Sequence, residues 1–245
     1  LPVMNRRFFS PAPLQVGPLQ LTGTEAHHLL HVLRAAPGDE IILFDGAGGE
    51  FSACIESTAR KTVACQILQE RSVNRELPAE LVLGAALPKG ERQRWLVEKA
   101  TELGVTRLVP VETSRSTQQR VKQQRTNTPH DRLQRTVIES CKQCGRNQLM
   151  DISPTTSLDV FLRAAPAASH RWMAHPQGAT SAHAKVTPAV DLPTWLLVGP
   201  EGGFPEHETT QAKTEGWQTI DLGPRILRVE TAAIALTSLA TLPTG

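Results

Sequence analysis

Apolar positions in the first seventy residues alternate with polar ones. EIILF (40–44), the Gly-rich turn DGAGG and EFSACIE (50–56) read as strand, turn and strand, and TVACQILQE (62–70) reads as a third strand. Between residues 24 and 39, TEAHHLLHVLRAAPGD carries helical spacing, with Thr24 as a cap and Pro37-Gly38 as the stop. The polar stretch ERSVNRELP (70–78) predicts a domain boundary, giving domains 1–76 and 77–245. Beyond it the periods alternate. LVLGAAL, RLVPVE, RWMAH, TWLLVG and WQTIDLG read as strands. GERQRWLVEKATELG, PHDRLQRTVIESCKQCG, SLDVFLRAA, PEHETTQAKTEG and the apolar RVETAAIALTSLATL read as helices. Strands alternating with helices predict an α/β domain with a mainly parallel sheet.

Composition changes this picture little. In the 245 residues no run approaches the ~18 apolar positions of a membrane span. LPVMNRRFFS lacks the apolar core of a signal peptide, so Met4 reads as the natural start and the location as cytoplasmic. The net charge of +2 is uninformative, but its distribution is not. Between Arg115 and Arg146 eight basic residues face two acidic ones, a stretch able to neutralise phosphates or to form a solvated helix face. The segment VKQQRTNTP (121–129) reads as a mobile basic loop.

Candidate metal and redox chemistry is thin. Cys141 and Cys144 form a C-x-x-C, but on an amphipathic helix, and Cys54 and Cys65 are wrongly spaced to complete a zinc site. His27 and His31 stand four apart without a third ligand, which favours structural or RNA-facing histidines. No metal site is expected.

Two loops carry more. GPEGG (199–203) follows the apolar run TWLLV, and LGPRILR (222–228) follows TIDL. In a parallel sheet such loops, beyond the carboxyl ends of strands, are where ligands bind. Neither loop holds the Lys and Ser/Thr of a phosphate cradle, nor G-x-G-x-x-G, and Glu201 would repel a pyrophosphate. A carboxylate suits a ribose hydroxyl or a cationic group, which points to a phosphate-free nucleoside such as S-adenosylmethionine. Two plain strand-to-helix turns are the alternative. Arg225 and Arg228 could grip an anion or a developing negative charge, or form a surface ion pair with Glu230 in a helix's first turn.

LLVGPEGGFPEHE and LGPRILRVETAAIAL resemble the two signature loops of the bacterial 16S ribosomal RNA (uridine-N3) methyltransferases (RsmE), of the SPOUT superfamily. The resemblance also covers RRFF, HHLLHVLR, GDEIILFDGAGGEF, LPKGERQRWLVEKATELGV and ESCKQCGRN. It implies an N-terminal PUA-like β-barrel, a C-terminal SPOUT α/β domain with a trefoil knot, a homodimer, and S-adenosyl-L-methionine as cofactor. The implied cofactor residues are Ala174, His175, Leu197, Val198, Gly199, Glu201, Gly202, Gly203, Leu222, Gly223, Ile226, Leu227 and Thr231. Arg228, Arg225 and Glu230 are the candidate catalytic residues, Glu230 as general base. Arg6, Arg7, His28, Arg34, Arg115, Arg132, Arg146 and Asn147 are the candidate RNA contacts, with 16S rRNA or the assembled small subunit as partner. Two features depart from the family pattern. Pro205, expected at a first helical position, replaces a small hydroxyl residue, and Ser114 replaces an acid. A related methyltransferase acting on another RNA position, such as a ribose hydroxyl in transfer RNA, and a non-catalytic RNA-binding protein of the same fold are the alternatives.

Overall fold

A computed structural model describes residues 6–117, 129–176, 180–181 and 192–241. Met4, nearly all of the 121–129 segment, and Arg120, Lys122 and Arg125 of the basic stretch lie outside the described residues. The chain divides into two compact units, Leu1–Glu76 with Ile138–Leu149, and Leu77–Val137 with Met150–Gly245.

In the first unit β1 (Arg7–Phe9), β2 (Gly17–Leu21), β3 (Glu40–Phe44), β4 (Glu50–Thr58) and β5 (Val63–Arg71) form one sheet in the order β1-β3-β4-β5-β2. All pairs are antiparallel except β1 with β3. Alternation works as the sequence predicts: Val63, Cys65 and Ile67 of β5 point inward with Ala53 and Ile55 of β4. Register shifts at Ser52/Ala53 and Ile55/Ser57 bend β4 locally.

The helix of this unit differs from its prediction. α1 (Gly23–His27) runs into a single π turn, His28–Val32. Thr22, not Thr24, is the N-cap, and it makes no side-chain capping bond. The chain leaves the helix at Arg34, well before Pro37. Leu33 N–H donates to His28 O at 3.0 Å and Ala35 N–H to Leu29 O at 2.9 Å, with Arg34 left-handed between them at φ 52°. That is the closure a C-terminal glycine usually makes, here made by an arginine.

The second unit comprises β6 (Leu81–Ala85), α2 (Glu91–Glu102), β7 (Arg107–Glu112), α3 (Ser114–Thr117), α4 (Pro129–Cys144), β8 (Asp151–Ile152), β9 (Thr156–Ser157) and α5 (Leu158–Ala164). It continues with β10 (His170–Ala174), β11 (Thr180–Ser181), β12 (Thr194–Val198), α6 (Glu206–Thr214), β13 (Gln218–Asp221) and α7 (Val229–Thr241); the C-terminal end of α4 belongs to the first unit. The sheet order is β11-β13-β10-β12-β6-β7-β8, with β9 beside the far end of β7. Every pair is parallel. β12 lies between β10 and β6 and is buried throughout, which is why TWLLV is continuous rather than alternating.

Phe161 of α5 lies against the sheet over Gly84, where any Cβ would meet its ring at 2.4 Å. Around it pack Trp195 and Trp217, at ring-centre distances of 5.2 and 5.6 Å. Pro205 is the N-cap of α6 rather than its first helical residue, with φ −68° and ψ 163° and no side-chain capping bond. Its extended ψ, not its fixed φ, keeps it outside the helix. Among the described residues no helix is long and apolar enough to cross a membrane.

Candidate functional site

Three neighbouring strands of the second unit, β13, β10 and β12, end side by side, and the loops leaving them wall one cleft. It is partly open to solvent, with about 110 Å3 of room for the centres of water-sized molecules. Ala174 and His175 come from the first loop, Gly199, Glu201 and Gly203 from the second, and Leu222, Gly223, Arg225, Ile226 and Leu227 from the third. The sequence therefore brings together most of the residues it proposed for a cofactor. Leu197, Val198, Gly202 and Thr231 are not on its wall, while Phe204, Asp221, Val229 and Ala232 are. These four had no sequence signal of their own; Phe204 and Val229 are simply apolar residues flanking glycine- or arginine-marked loops.

Local chemistry fixes each loop. Gly203 N–H donates to Pro200 O at 2.7 Å and sits at φ +65°, a left-handed position that closes the turn. Gly199 serves a different need: a Cβ there would lie 2.7 Å from the Phe204 ring, which folds beneath the loop. Asp221 accepts from Gly223 N–H at 2.8 Å and His175 N–H donates to Ile220 O at 3.0 Å. Two arginines hold the glycine loop from outside. Arg115 donates to Gly202 O, and Arg92, from the first turn of α2, donates to Glu201 Oε1 at 2.9 Å. Glu201's own backbone N–H holds its carboxyl below the usual range, against partial burial, and Arg92 adds to the effect. Ser114 N–H donates to the buried Glu208 of α6 at 2.7 Å, so an acid does meet this position, but from another helix.

The candidate catalytic residues divide. Arg225 lines the cleft, whereas Arg228, Glu230 and Thr231 line a second concavity with Arg92, Arg94 and Trp95 of α2. Arg92 joins the two: besides Glu201, it stands 4.0 Å from Glu230 Oε2. The Glu230 side chain is 7% exposed, and its Oε2 has no hydrogen-bond partner. A buried carboxylate oxygen left open in this way keeps its capacity to accept a hydrogen bond from a further group.

Most of the candidate RNA contacts are engaged by other residues of the chain. Arg7 is buried and donates to Glu50 Oε2 at 2.5 Å and Asn147 Oδ1 at 2.6 Å. Arg146 is buried against Glu76, with Nη2–Oε2 at 2.5 Å, and Asn147 Nδ2 donates to Val73 O at 3.1 Å. Their charge and donors are used inside the first unit, because a buried guanidinium must be paired there. His28 is half-buried, with its ring 5.8 Å from Phe8. Arg6 pairs with Asp39 at 3.2 Å, and the exposed Arg132 approaches Glu91 at 3.4 Å. Arg34 is exposed. In the C-x-x-C, burial pushes the Cys141 thiol up to about 12, which makes it a poor redox or metal ligand.

Comparison with known proteins places this geometry. A model for an RNA methyltransferase domain matches residues 75–241, and one for an RNA methyltransferase PUA domain matches residues 21–68. The ribosomal RNA small subunit methyltransferase E of Bacillus subtilis is 30% identical over 87% of this chain and 86% of its own. A solved ribosomal RNA small subunit methyltransferase E from Neisseria gonorrhoeae, bound to S-adenosyl methionine, is 31% identical, with TM-score 0.81 over 96% of this chain and 95% of that one. A methyltransferase from Legionella pneumophila, in complex with the same cofactor, is 33% identical, with TM-score 0.82 and 96% coverage of both chains.

Proposed function

This chain belongs to the ribosomal RNA small subunit methyltransferase E family, and from that premise we propose that it transfers the methyl group of S-adenosyl-L-methionine to N3 of a uridine in 16S ribosomal RNA. The observation that carries the reading is the pairing of a largely apolar cleft walled by three loops with an adjoining concavity that holds an open, buried carboxylate and arginines.

The cleft fits the cofactor. Its walls are largely apolar, from Ala174, Phe204, Leu222, Leu227, Val229 and Ala232, as a purine ring requires. Among the described residues its carboxylates are Glu201 and Asp221, suited to hydroxyl and amine groups, and no lysine lines it. When bound, S-adenosylmethionine supplies an activated methyl group and its own leaving group. Backbone groups of Gly199, Gly203, Leu222 and Leu227 would hold it, and the Glu201 carboxylate would suit its cationic or hydroxyl groups. What remains for the protein is alignment and a proton. Positioning alone can lower such a barrier by about 7–11 kcal/mol at its upper end. Uridine N3 must lose its proton to attack, and Glu230 Oε2 accepts it. Arg228 stabilises the negative charge left on the base, with Arg225 assisting from the cleft side. The base must leave its stack to reach this site, so the substrate is a structured RNA or the assembled small subunit, met in the cytoplasm. The trefoil knot and the homodimer implied by the family belong to the same proposal, as does the division of labour between a PUA-like RNA-gripping domain (1–76) and a catalytic domain (77–245).

Mass spectrometry of 16S rRNA nucleosides from a strain lacking the gene tests this directly. N3-methyluridine should disappear and return with the wild-type gene, while Glu230→Gln should restore under a tenth of it. Unchanged N3-methyluridine in the deletion would overturn the function. Full restoration by Glu230→Gln would remove only its role as base. Calorimetry showing no S-adenosylmethionine binding would favour a non-catalytic RNA-binding protein.

A further inference from the structure

The first unit carries a concavity that the methyl-transfer reading does not use. Gly23, His27, Leu30 and His31 form one side and Arg60 and Lys61, at the tip of the β4–β5 hairpin, form the other. The His27 and His31 rings lie 4.5 Å apart at 44° to one another. Among the described residues, neither Arg60 nor Lys61 has an ion pair or hydrogen bond. With Arg34 they differ from Arg6, Arg7, Arg71, Arg75, Lys142 and Arg146 of this unit, which are each paired to a carboxylate. The nearest acid in sequence to the histidines, Glu25, is already bound to Lys142 at 2.6 Å.

Backbone irregularity collects on the same segment. The π turn spans His28–Val32, and Arg34 is the one non-glycine residue with positive φ among those described. π turns and left-handed non-glycine residues each cost free energy, on the order of 1–3 kcal/mol for the latter, and such costs gather where function requires the geometry. Val32, 63% exposed, leaves an apolar face within the π turn.

We infer that this concavity is a phosphodiester-binding site for the RNA substrate, with Arg60 and Lys61 neutralising backbone phosphates and His27 and His31 donating hydrogen bonds or stacking on a base. The inference rests on the proposed activity on ribosomal RNA for the identity of the polymer. Two unpaired cations facing donor-bearing rings across an open hollow fit a chain of phosphates better than an isolated anion, which fewer groups would hold. Neither Arg60 nor Lys61 was expected from the sequence as an RNA contact; the signal was only a basic pair in a hairpin turn. It adds to the candidate contacts a pair whose charge is not already engaged inside the unit, as that of Arg7 and Arg146 is.

Fluorescence anisotropy with a labelled 16S rRNA fragment, on the full chain, tests the site. The Arg60→Glu/Lys61→Glu double variant should weaken binding about tenfold or more at ~0.1 M salt. It should also flatten the dependence of log affinity on log salt by about 1.4–1.8, the share of two phosphate contacts. His27→Ala/His31→Ala should weaken binding with a smaller change of slope. S-adenosylmethionine affinity, measured by calorimetry, should be unchanged in both variants, and hydrogen exchange of the β3–β5 amides should stay at the wild-type rate, which shows that the first unit's fold survives. An unchanged affinity and slope in the double Glu variant, with the wild type binding normally, would overturn the site while leaving the proposed reaction intact. Failure of the wild type to bind rRNA would overturn both.

Discussion

Glu50→Gln probes the centre of the first unit's buried polar network. Glu50 is 1% exposed and receives Arg7 at 2.5 Å, Arg75 at 2.9 Å and Arg71 at 3.1 Å. The Arg71 and Arg75 side chains are 41% and 42% exposed and can return to water, but that of Arg7 is only 4% exposed and cannot. Removing one partner of a buried pair costs ~3–5 kcal/mol, mostly the charge left behind. An amide keeps one acceptor oxygen for Arg7, so we expect the lower end, about 3 kcal/mol. All four tryptophans, Trp95, Trp172, Trp195 and Trp217, lie in the second unit, so tryptophan emission is blind to this change. Hydrogen exchange of the β3–β5 amides reads it directly, and about 3 kcal/mol appears there as roughly 100-fold faster exchange. The effect has a pH signature. Burial works against ionisation of Glu50, but hydrogen bonds from Arg7 and Arg75 outweigh it, so its carboxyl titrates below the usual range. A lowered folded value gives stability that is complete above the ordinary carboxylate value of about 4.3 and is lost as pH falls through the folded value. The gap between wild type and Glu50→Gln should therefore be widest near neutrality and close in acid. Exchange rates within about threefold of wild type at neutral pH would refute the account.

Two further substitutions or treatments test other parts of the structure. Gly199→Ala places a methyl group 2.7 Å from the Phe204 ring; it should cost about 1–3 kcal/mol of second-unit stability and weaken S-adenosylmethionine binding about tenfold, read by denaturation and calorimetry. Burial raises the Cys65 and Cys141 thiols to about 11 and about 12, so alkylation of the native chain at pH 7.5 should modify the partly exposed Cys54 and Cys144 first, as peptide mapping would show; equal labelling of all four would contradict the burial argument.

Much of the fold and cleft was legible because short-range rules governed it. TWLLV and the glycines after it declare a buried strand and a turn without reference to the rest of the chain, and the same holds for the helical period of α7. The two-residue strands β8, β9 and β11 were not legible, being too short to establish a period. Nor was the π turn, whose residues satisfy an α-helical pattern. The partners of the charged side chains were the least legible. Arg7, Arg115 and Arg146 look alike in sequence, yet Arg7 meets Asn147 across 140 positions and Arg115 meets Gly202 across 87. A guanidinium's partner at such separations is decided by topology, so a basic run shows where positive charge is made and not where it is left over. The hairpin pair Arg60-Lys61 makes the same point in reverse: a short, unremarked doublet keeps its charge because, among the described residues, topology brings it no acid partner.

The return of Ile138–Leu149 to the first unit also sets an order of events on the ribosome. Arg7 emerges early, but its partner Asn147 is 140 residues behind it. At ~5–20 residues per second the nascent segment waits roughly 7–28 s, with a buried cation site lacking its full complement of acceptors. Over that interval the first unit is a partly finished protein and a surface for chaperones. It locks only after β6, α2, β7 and most of α4 have been made, so the domain that begins the chain waits for a segment carried inside the sequence of the other.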